Sequence, residues 1–424
     1  MTNFLLSPAS RPSFRTLLSI GVATAFLASP VSAQPWAETF GGPGADLAYD
    51  IAAAADGGAF AGGLTNTDLL VDGYVVKTDA DGQLLWQRSL SLSPKAETFY
   101  SILPTDDGGA VIAGSVDDAA SPDYRPWLLA LDAHGEILWS SEESFTADVH
   151  VDSAIVRAAR LTDGRYVLAG GANTMVNPED PWVLLATADG TFESFDRFET
   201  LGTPGFGVAT YINNLAATPD GGFVATGTVS GGLGTAFLWK FDAHAQPEWS
   251  RLYQDAFFRE GFSLRAITDG YVITGCDLPN CNNATIIRTD AGGAVQWTTV
   301  LDDPDGRRSF GRDVVARANG ELVLLQTLDG GAGSRVIDTE LITLSAAGER
   351  LTTDPLVVGQ VSTAGYRLAQ GDDRLWVGGY AGDSTAANDF DLLVAVAQDQ
   401  AFGSLIFSSD FESGDLAGWS SHSD

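Results

Sequence analysis

The chain has 424 residues, 45% of them apolar and only 18% charged, with 55 acidic side chains against 23 basic ones for a net charge of −32. With lysine only at Lys77, Lys95 and Lys240, that balance excludes nucleic acid and an anionic membrane surface as natural partners, because affinity for either is carried by Lys and Arg. The apolar and aromatic content excludes global disorder, and 48 glycines are far too few for a collagen-like repeat.

Arg11 and Arg15 precede an apolar run from Leu17 to Leu27, and no acid occurs before Glu38. The run ends in Val31-Ser32-Ala33, with small residues where a signal peptidase requires them. Residues 1–33 therefore read as a secretory signal, cleaved between Ala33 and Gln34 to give a secreted protein, periplasmic or extracellular. The run is short for a membrane span, and no second long apolar run follows, so membrane insertion is not expected. Loss of two arginines and no acid takes the mature net charge to −34.

Beyond the signal, one pattern recurs. Asp56-Gly57-Gly58, Asp107-Gly108-Gly109, Asp163-Gly164, Asp220-Gly221-Gly222, Asp269-Gly270, Asn319-Gly320 and Asp372-Asp373 follow one another at steps of 49 to 57 residues. A glycine follows most of them, at Gly63, Gly114, Gly170, Gly227, Gly275 and Gly379, whereas the sixth unit has Gln326. A second turn recurs as Asp79-Ala-Asp-Gly82, Asp132-Ala-His-Gly135, Thr187-Ala-Asp-Gly190, Asp242-Ala-His-Ala245, Asp290-Ala-Gly-Gly293 and Ser345-Ala-Ala-Gly348. Trp86, Trp139, Trp249 and Trp297 stand seven residues into that pattern, where the third and sixth units have Ser194 and Thr352.

Between the turns lie short runs of Val, Ile, Leu and aromatics, such as Tyr49–Ala55, Ala59–Leu64, Tyr74–Thr78 and Leu84–Ser89 in the first unit. Asp-Gly between such runs marks tight hairpins, because glycine accepts the positive φ they need. Seven units of about 50 residues, four strands each, predict an all-β, seven-bladed β-propeller of four-stranded antiparallel blades over residues 34–400. The last unit shows three strands, Tyr366 to Ala397, and no tryptophan after them. Trp36-Ala-Glu-Thr-Phe40 has the look of an outer strand with no unit before it, so Trp36 is expected to complete that last blade and close the ring. Leu405-Ile406-Phe407 is the rival for that position. Residues 401–424 form a short C-terminal tail. In the fifth unit, Cys276 and Cys281 flank Pro279-Asn280, a turn that brings them into disulfide range.

The pattern Trp36-x4-Gly-Gly42, Asp46, Ile51, Asp56-Gly-Gly58, Gly62-Gly63, Asp79-x2-Gly82-x3-Trp86 resembles secreted bacterial propeller repeats of the Asp-Gly-Gly type, whose functions are mostly unknown. It covers about residues 36–400. The Asp-Ala-x-Gly-x3-Trp part is distantly similar to the tryptophan-docking motif of quinoprotein propellers. Those rings resemble eight-bladed ones with adjacent cysteines, whereas here there are seven units and the cysteines stand five positions apart, so no quinone cofactor is implied. The tail from Ile406 to Ser420 resembles a short C-terminal motif of diverse exported bacterial proteins.

Candidate chemistry is sparse. His134 and His244 occupy one position of the second turn, which fits an exposed turn residue, and no two histidines have metal-ligand spacing. No nucleophile elbow or phosphate loop occurs. Asp302-Asp303-Pro-Asp305-Gly306 could hold calcium, but its spacing matches no known calcium loop and a solvated acidic turn explains it better; no cofactor is otherwise implied. Trp127, Trp182, Tyr74 and Phe237 share one position per unit, which fits packing between blades better than a ligand cage. In a propeller the uniform turns lie on one face. The varied connections lie on the other: Thr65–Gly73, Val116–Pro126, Ala172–Pro181, Cys276–Asn283, Leu328–Thr339 and Ala381–Asp389, and binding is expected there. Phe257-Phe258-Arg259 and Arg307-Arg308 are basic and aromatic exceptions on that face. The expected function is an exported, monomeric binding module for a protein, glycan or small molecule. The alternative is a propeller lyase or hydrolase working on a glycan or small molecule through channel carboxylates or a metal.

Overall fold

Glycines in the left-handed region set the rhythm of the backbone. Gly57, Gly108, Gly164, Gly221 and Gly320 take φ between 85° and 92° in the first turn of their units. Gly82, Gly135, Gly190, Gly293 and Gly348 take φ between 77° and 84° in the second. The computed structural model describes residues 36–407 except 43, 68–69, 92–95, 118–123, 143–155, 172–180, 200, 202–208, 231–232, 257, 278, 330–336, 359–361, 372–373, 383–389 and 399–404. The signal segment with its Ala33/Gln34 junction, Phe257, and the tail beyond Phe407 lie outside the described residues.

The first strand is β1 (Trp36–Phe40). The first unit holds β2 (Ala45–Ala53), β3 (Ala59–Thr67), β4 (Leu70–Thr78) and β5 (Leu84–Leu90). The second holds β6 (Ala96–Pro104), β7 (Ala110–Asp117), β8 (Tyr124–Leu131) and β9 (Ile137–Glu142). The third holds β10 (Arg157–Arg160), β11 (Tyr166–Gly171), β12 (Pro181–Ala186) and β13 (Phe192–Arg197). The fourth holds β14 (Thr210–Ala217), β15 (Phe223–Val229), β16 (Thr235–Phe241) and β17 (Pro247–Leu252). The fifth holds β18 (Phe258–Ile267), β19 (Gly270–Asp277), β20 (Ala284–Asp290) and β21 (Val295–Leu301). The sixth holds β22 (Arg308–Ala316), β23 (Leu322–Asp329), β24 (Ile337–Leu344) and β25 (Arg350–Val358). Then come β26 (Ser362–Gln370), β27 (Arg374–Gly382), β28 (Phe390–Gln398) and the short β29 (Leu405–Phe407).

Within each unit the strands pair in chain order as an antiparallel meander. β1 pairs antiparallel with β28, Trp36 opposite Val396 and Phe40 opposite Leu392. β29 runs parallel to β25, with Leu405 opposite Leu356. Repeated four-stranded antiparallel sheets of this kind make a β-propeller.

The core lies between neighbouring sheets. Val111 and Leu128 of the second unit pack with Leu168, Trp182 and Leu184 of the third. Val224 and Leu238 of the fourth pack with Leu264 and Ile273 of the fifth. Ile51, Ala61 and Val76 of the first unit pack against Trp376, Leu392 and Val394. Trp127, Trp182, Tyr74 and Phe237 are all buried in these interfaces, which gives the aromatic column a packing role. One expectation is corrected here. The Thr65–Gly73 segment is not a long loop, because β3 and β4 continue through it as a hairpin, with Asp72 opposite Thr65 and Leu70 opposite Thr67.

Candidate functional site

The first strands of the units line the axis, and all of them but β10 share a defect. β2, β6, β14, β18, β22 and β26 each slip register by one residue against the next strand. The residues skipped at the equivalent position are Tyr49, Tyr100, Asn213, Phe262, Arg312 and Tyr366, and β18 slips a second time at Arg259. A bulge leaves its extra residue out of the ladder and re-aims its side chain. All six line one cavity of about 660 Å³, a size suited to a small molecule.

The bulges explain the repeat's most regular glycine. Gly63, Gly114, Gly227, Gly275 and Gly379 face the slipped segment. A Cβ on any of them would fall within 2.2 Å of a backbone oxygen, on Leu47, Thr98, Tyr211, Glu260 or Ala364 respectively. Only glycine lets the neighbouring strand approach that closely.

The residue after each bulge forms a second tier that ties one sheet to the next. The Asp50 carboxylate accepts the Ile102 N–H at 2.8 Å, and Ser101 Oγ accepts the Ala158 N–H at 3.0 Å. Arg157 donates from Nε to the Asn213 carbonyl at 3.0 Å and from Nη1 to the Tyr100 carbonyl. Asn214 Nδ2 donates to Ser263 Oγ at 2.9 Å, and that hydroxyl donates to Asp313 at 2.5 Å. The other Asp313 oxygen accepts the Leu368 N–H at 2.8 Å and pairs with Arg265 at 3.0 Å. Below this tier a second cavity opens, lined by small residues such as Ala52, Ala159, Ala217, Ala266 and Ala369. Arg157 and Arg367 line both cavities and so stand at the partition.

The upper cavity is aromatic and cationic. The rings of Tyr49 and Tyr100 stack at 5.3 Å, and Tyr366 stands 5.9 Å from Tyr49. The Arg312 guanidinium lies 4.9 Å from the Phe310 ring and 5.5 Å from each of Phe262 and Tyr366. Burial pushes the Arg312 guanidinium down from its ordinary value. Burial and the neighbouring Arg367 depress Arg157 to about 9. Burial raises the Asp50 carboxyl, opposed by Arg367 and Arg157.

The residues singled out from the sequence divide. Arg259 lines the cavity, pairs with Glu260 at 3.3 Å, and donates to the Pro279 carbonyl at 2.8 Å. Phe258 is fully buried between sheets and packs with Leu264 and Tyr271. Arg307 is held by Asp303 at 3.1 Å and by Asp338 at 2.7 Å. That grip occupies a carboxylate of the acidic turn weighed above for calcium. Arg308 lies over Phe310, 5.2 Å from its centroid. Cys276 and Cys281 form a disulfide, Cα atoms 4.9 Å apart, in a loop capped by Asp277, which accepts the N–H groups of Asn282 and Asn283. Glu260 lies near both sulfurs, but a disulfide leaves no thiolate for a metal. His134 is 86% exposed, a turn residue.

Arg259 apart, the cavity residues were not among those singled out, yet a signal for them exists. Tyr49, Tyr100, Asn213, Phe262 and Arg312 each stand seven residues before the Asp or Asn of their unit's first turn.

Fold and cavity together define a β-propeller with an axial pocket. No protein-family model matches the chain, and no curated protein matches it. Among solved structures it is similar to Sqt1 from Chaetomium thermophilum, at 12% identity and a TM-score of 0.48, over 84% of this chain and 86% of that one. It is also similar to the β-propeller domain of the trilobed protease from Pyrococcus furiosus, at 10% identity and a TM-score of 0.46, over 87% and 99% of the two chains. A third similar structure is the α-L-arabinofuranosidase Arb93A from Fusarium graminearum, at 10% identity and a TM-score of 0.46, over 88% and 99%. These likenesses concern the fold alone.

Proposed function

We propose that this is an exported, seven-bladed β-propeller of the Asp-Gly-Gly repeat kind, closed by β1, that works as a ligand-binding module through its axial cavity. The observation that carries this reading is the convergence of six bulge residues, one from each of six sheets, on a single pocket. A repeat protein that needed only stability has no use for the same strand defect in unit after unit. Varied side chains on an identical defect are how a repeat scaffold builds a specific site. Binding is favoured over catalysis because the acids near the pocket are engaged. Glu260 pairs with Arg259, Asp313 holds Arg265 and the Leu368 N–H, and Asp50 holds the Ile102 N–H.

The test is a thermal-shift screen of the exported protein against glycans and small molecules, followed by titration of each hit. Tyr100→Leu is expected to abolish the hits while the protein stays folded. Hits that survive Tyr100→Leu and the equivalent Tyr49→Leu would move the site away from the axis. Turnover of any hit, lost in Asp50→Asn, would favour the enzyme reading instead.

A further inference from the structure

On a chain of net charge −32, the upper cavity gathers cations: Arg157, Arg259, Arg312 and Arg367 line it, against the single lining carboxylate Glu260. Glu260 is paired with Arg259, and deeper down Arg265 is paired with Asp313. Among the described residues, no carboxylate reaches ion-pair distance of Arg157, Arg312 or Arg367. Asp50 acts on Arg157 and Arg367 through space from the tier below. Arg312 uses Nε to hold Thr327 Oγ1 at 2.8 Å and is clamped among three rings, which fixes its remaining N–H groups in place. A guanidinium held rigid, half-buried and without a counter-ion is prepared for an anion from outside.

The rest of the lining narrows the class. Tyr49, Tyr100 and Tyr366 supply aromatic rings, and Asn213, Thr228 and Ser230 an amide and hydroxyls. Such a wall suits a saturated ring that packs an apolar C–H face on aromatic side chains and carries hydroxyl groups around its edge. Resting on the reading of this cavity as the ligand site, we propose that its ligand is a sugar acid, a hydroxylated ring bearing a carboxylate. The carboxylate meets Arg312 and Arg367, the ring lies against the tyrosines, and the hydroxyls meet Asn213, Thr228 and Ser230.

The experiment is calorimetric titration of the mature protein with glucuronate, with neutral methyl glucoside, and with benzoate. Glucuronate is expected to bind at least roughly tenfold more tightly than methyl glucoside, the scale of one charge-assisted contact. Its affinity should fall as salt rises from about 50 to about 500 mM. Arg312→Gln should erase the preference and Arg312→Lys restore part of it, with the melting temperature reporting that both fold. If Arg312→Gln does not fold, Arg367→Gln provides the same comparison. Methyl glucoside binding as tightly as glucuronate overturns the acidic ligand but leaves the binding site standing. Tighter binding of benzoate than of glucuronate overturns the sugar. If none of the three binds, the inference falls, and the broader screen on Tyr100→Leu then decides separately whether the cavity is a site at all.

Discussion

Position 245 is where the repeat departs from its own backbone rule. The second turn carries a left-handed glycine in five units, but the fourth has Ala245, at φ 59°. The neighbouring units show why glycine is usual. A Cβ on Gly190 would meet the Trp139 ring at 2.3 Å, and one on Gly293 would meet Trp249 at 2.8 Å. Each turn thus receives the tryptophan of the preceding unit. The third unit has Ser194 in place of that tryptophan, so the fourth unit's turn has room for a methyl group. The left-handed strain remains. Ala245→Gly is therefore expected to stabilise the protein by roughly 0.5–1 kcal/mol, read from denaturant midpoints. The opposite change at a bulge should be severe. Gly227→Ala puts a Cβ 1.8 Å from the Tyr211 carbonyl oxygen. It should cost about 3 kcal/mol or more, as other forced overpacking does. It should also weaken ligand binding, because Tyr211 and Asn213 line the cavity. Unchanged stability in Gly227→Ala would contradict the close-approach account of the repeat glycine.

At the scale of the element, neighbouring sheets are fastened outside as well as along the axis. Trp86 Nε1 donates to the Ala133 carbonyl at 2.9 Å, and Trp297 Nε1 to the Ala346 carbonyl at 3.2 Å. Arg88 adds donations to the Gly135 and His134 carbonyls. In the first, fourth and fifth units a cation on the third strand reaches back to the first turn: Lys77 to Asp56 at 2.7 Å, Lys240 to Asp220 at 3.0 Å, Arg288 to Asp269 at 2.8 Å. Trp86→Ala should thus loosen one seam and cost about 1–2 kcal/mol, less than a fully buried aromatic because Trp86 is only half-buried. The four-strand unit, its turns and the tryptophan were legible because the same residue recurs wherever the backbone needs it. The cavity was not, for the converse reason. Its residues share a position and a geometry but differ in kind: tyrosine, asparagine, phenylalanine and arginine. Alignment by recurring residues passes over a site made from the positions that vary. The most conspicuous arginine in the sequence, Arg307, is instead held by acids, Asp303 of its own turn and Asp338 of β24.

For the whole molecule, charge sets an unusual pH profile. Asp220 is held at about 2; burial works against this, but the Thr218 hydroxyl, Lys240 and the Gly222 N–H outweigh it. Asp56 is lowered in the same way by Lys77 and the Gly58 N–H against burial. A carboxylate with a lowered folded value contributes stability above its unfolded value, lost as pH falls from about 4 toward about 2. Glu38 behaves oppositely: burial raises it to about 7. Its penalty appears as pH rises from 4.5 through about 7, and general repulsion at net charge −32 grows over the same range. The melting temperature should therefore peak near about pH 5, and added salt should raise it at about pH 8 more than at the peak. Glu38→Gln should gain about 1 kcal/mol at about pH 8, after discounting for its partial exposure, and little at about pH 5. A melting temperature that climbs steadily to about pH 9 would contradict this balance.

Glu38 sits on the strand by which the two ends of the described chain meet, and that meeting supplies the last prediction. β1 gives β28 an antiparallel neighbour from Trp36 opposite Val396 to Phe40 opposite Leu392. Ala37 is buried with Leu356 of the sixth unit and with Leu375, Leu393 and Ala395 of the last strands. Without β1, β28 would present unpaired N–H and C=O groups along an edge, and Leu393 and Ala395 would lose cover. In the proposed ring, losing one outer strand also weakens the seam it shares with its neighbours, so the loss reaches beyond one sheet. β29 offers no substitute where it lies, since it pairs with β25 and not with β28. Deleting residues 34–40 should therefore cost roughly 3–5 kcal/mol, the sum of a few backbone bonds and a reopened apolar edge. It should also favour aggregation. Truncation after residue 400 should cost much less, because β29 adds only three residue pairs to the outside of a sheet that already has four strands. The two deletions, compared by melting temperature and by light scattering on warming, separate the possibilities. Equal effects, or a larger effect from the C-terminal truncation, would mean that β1 does not close the ring.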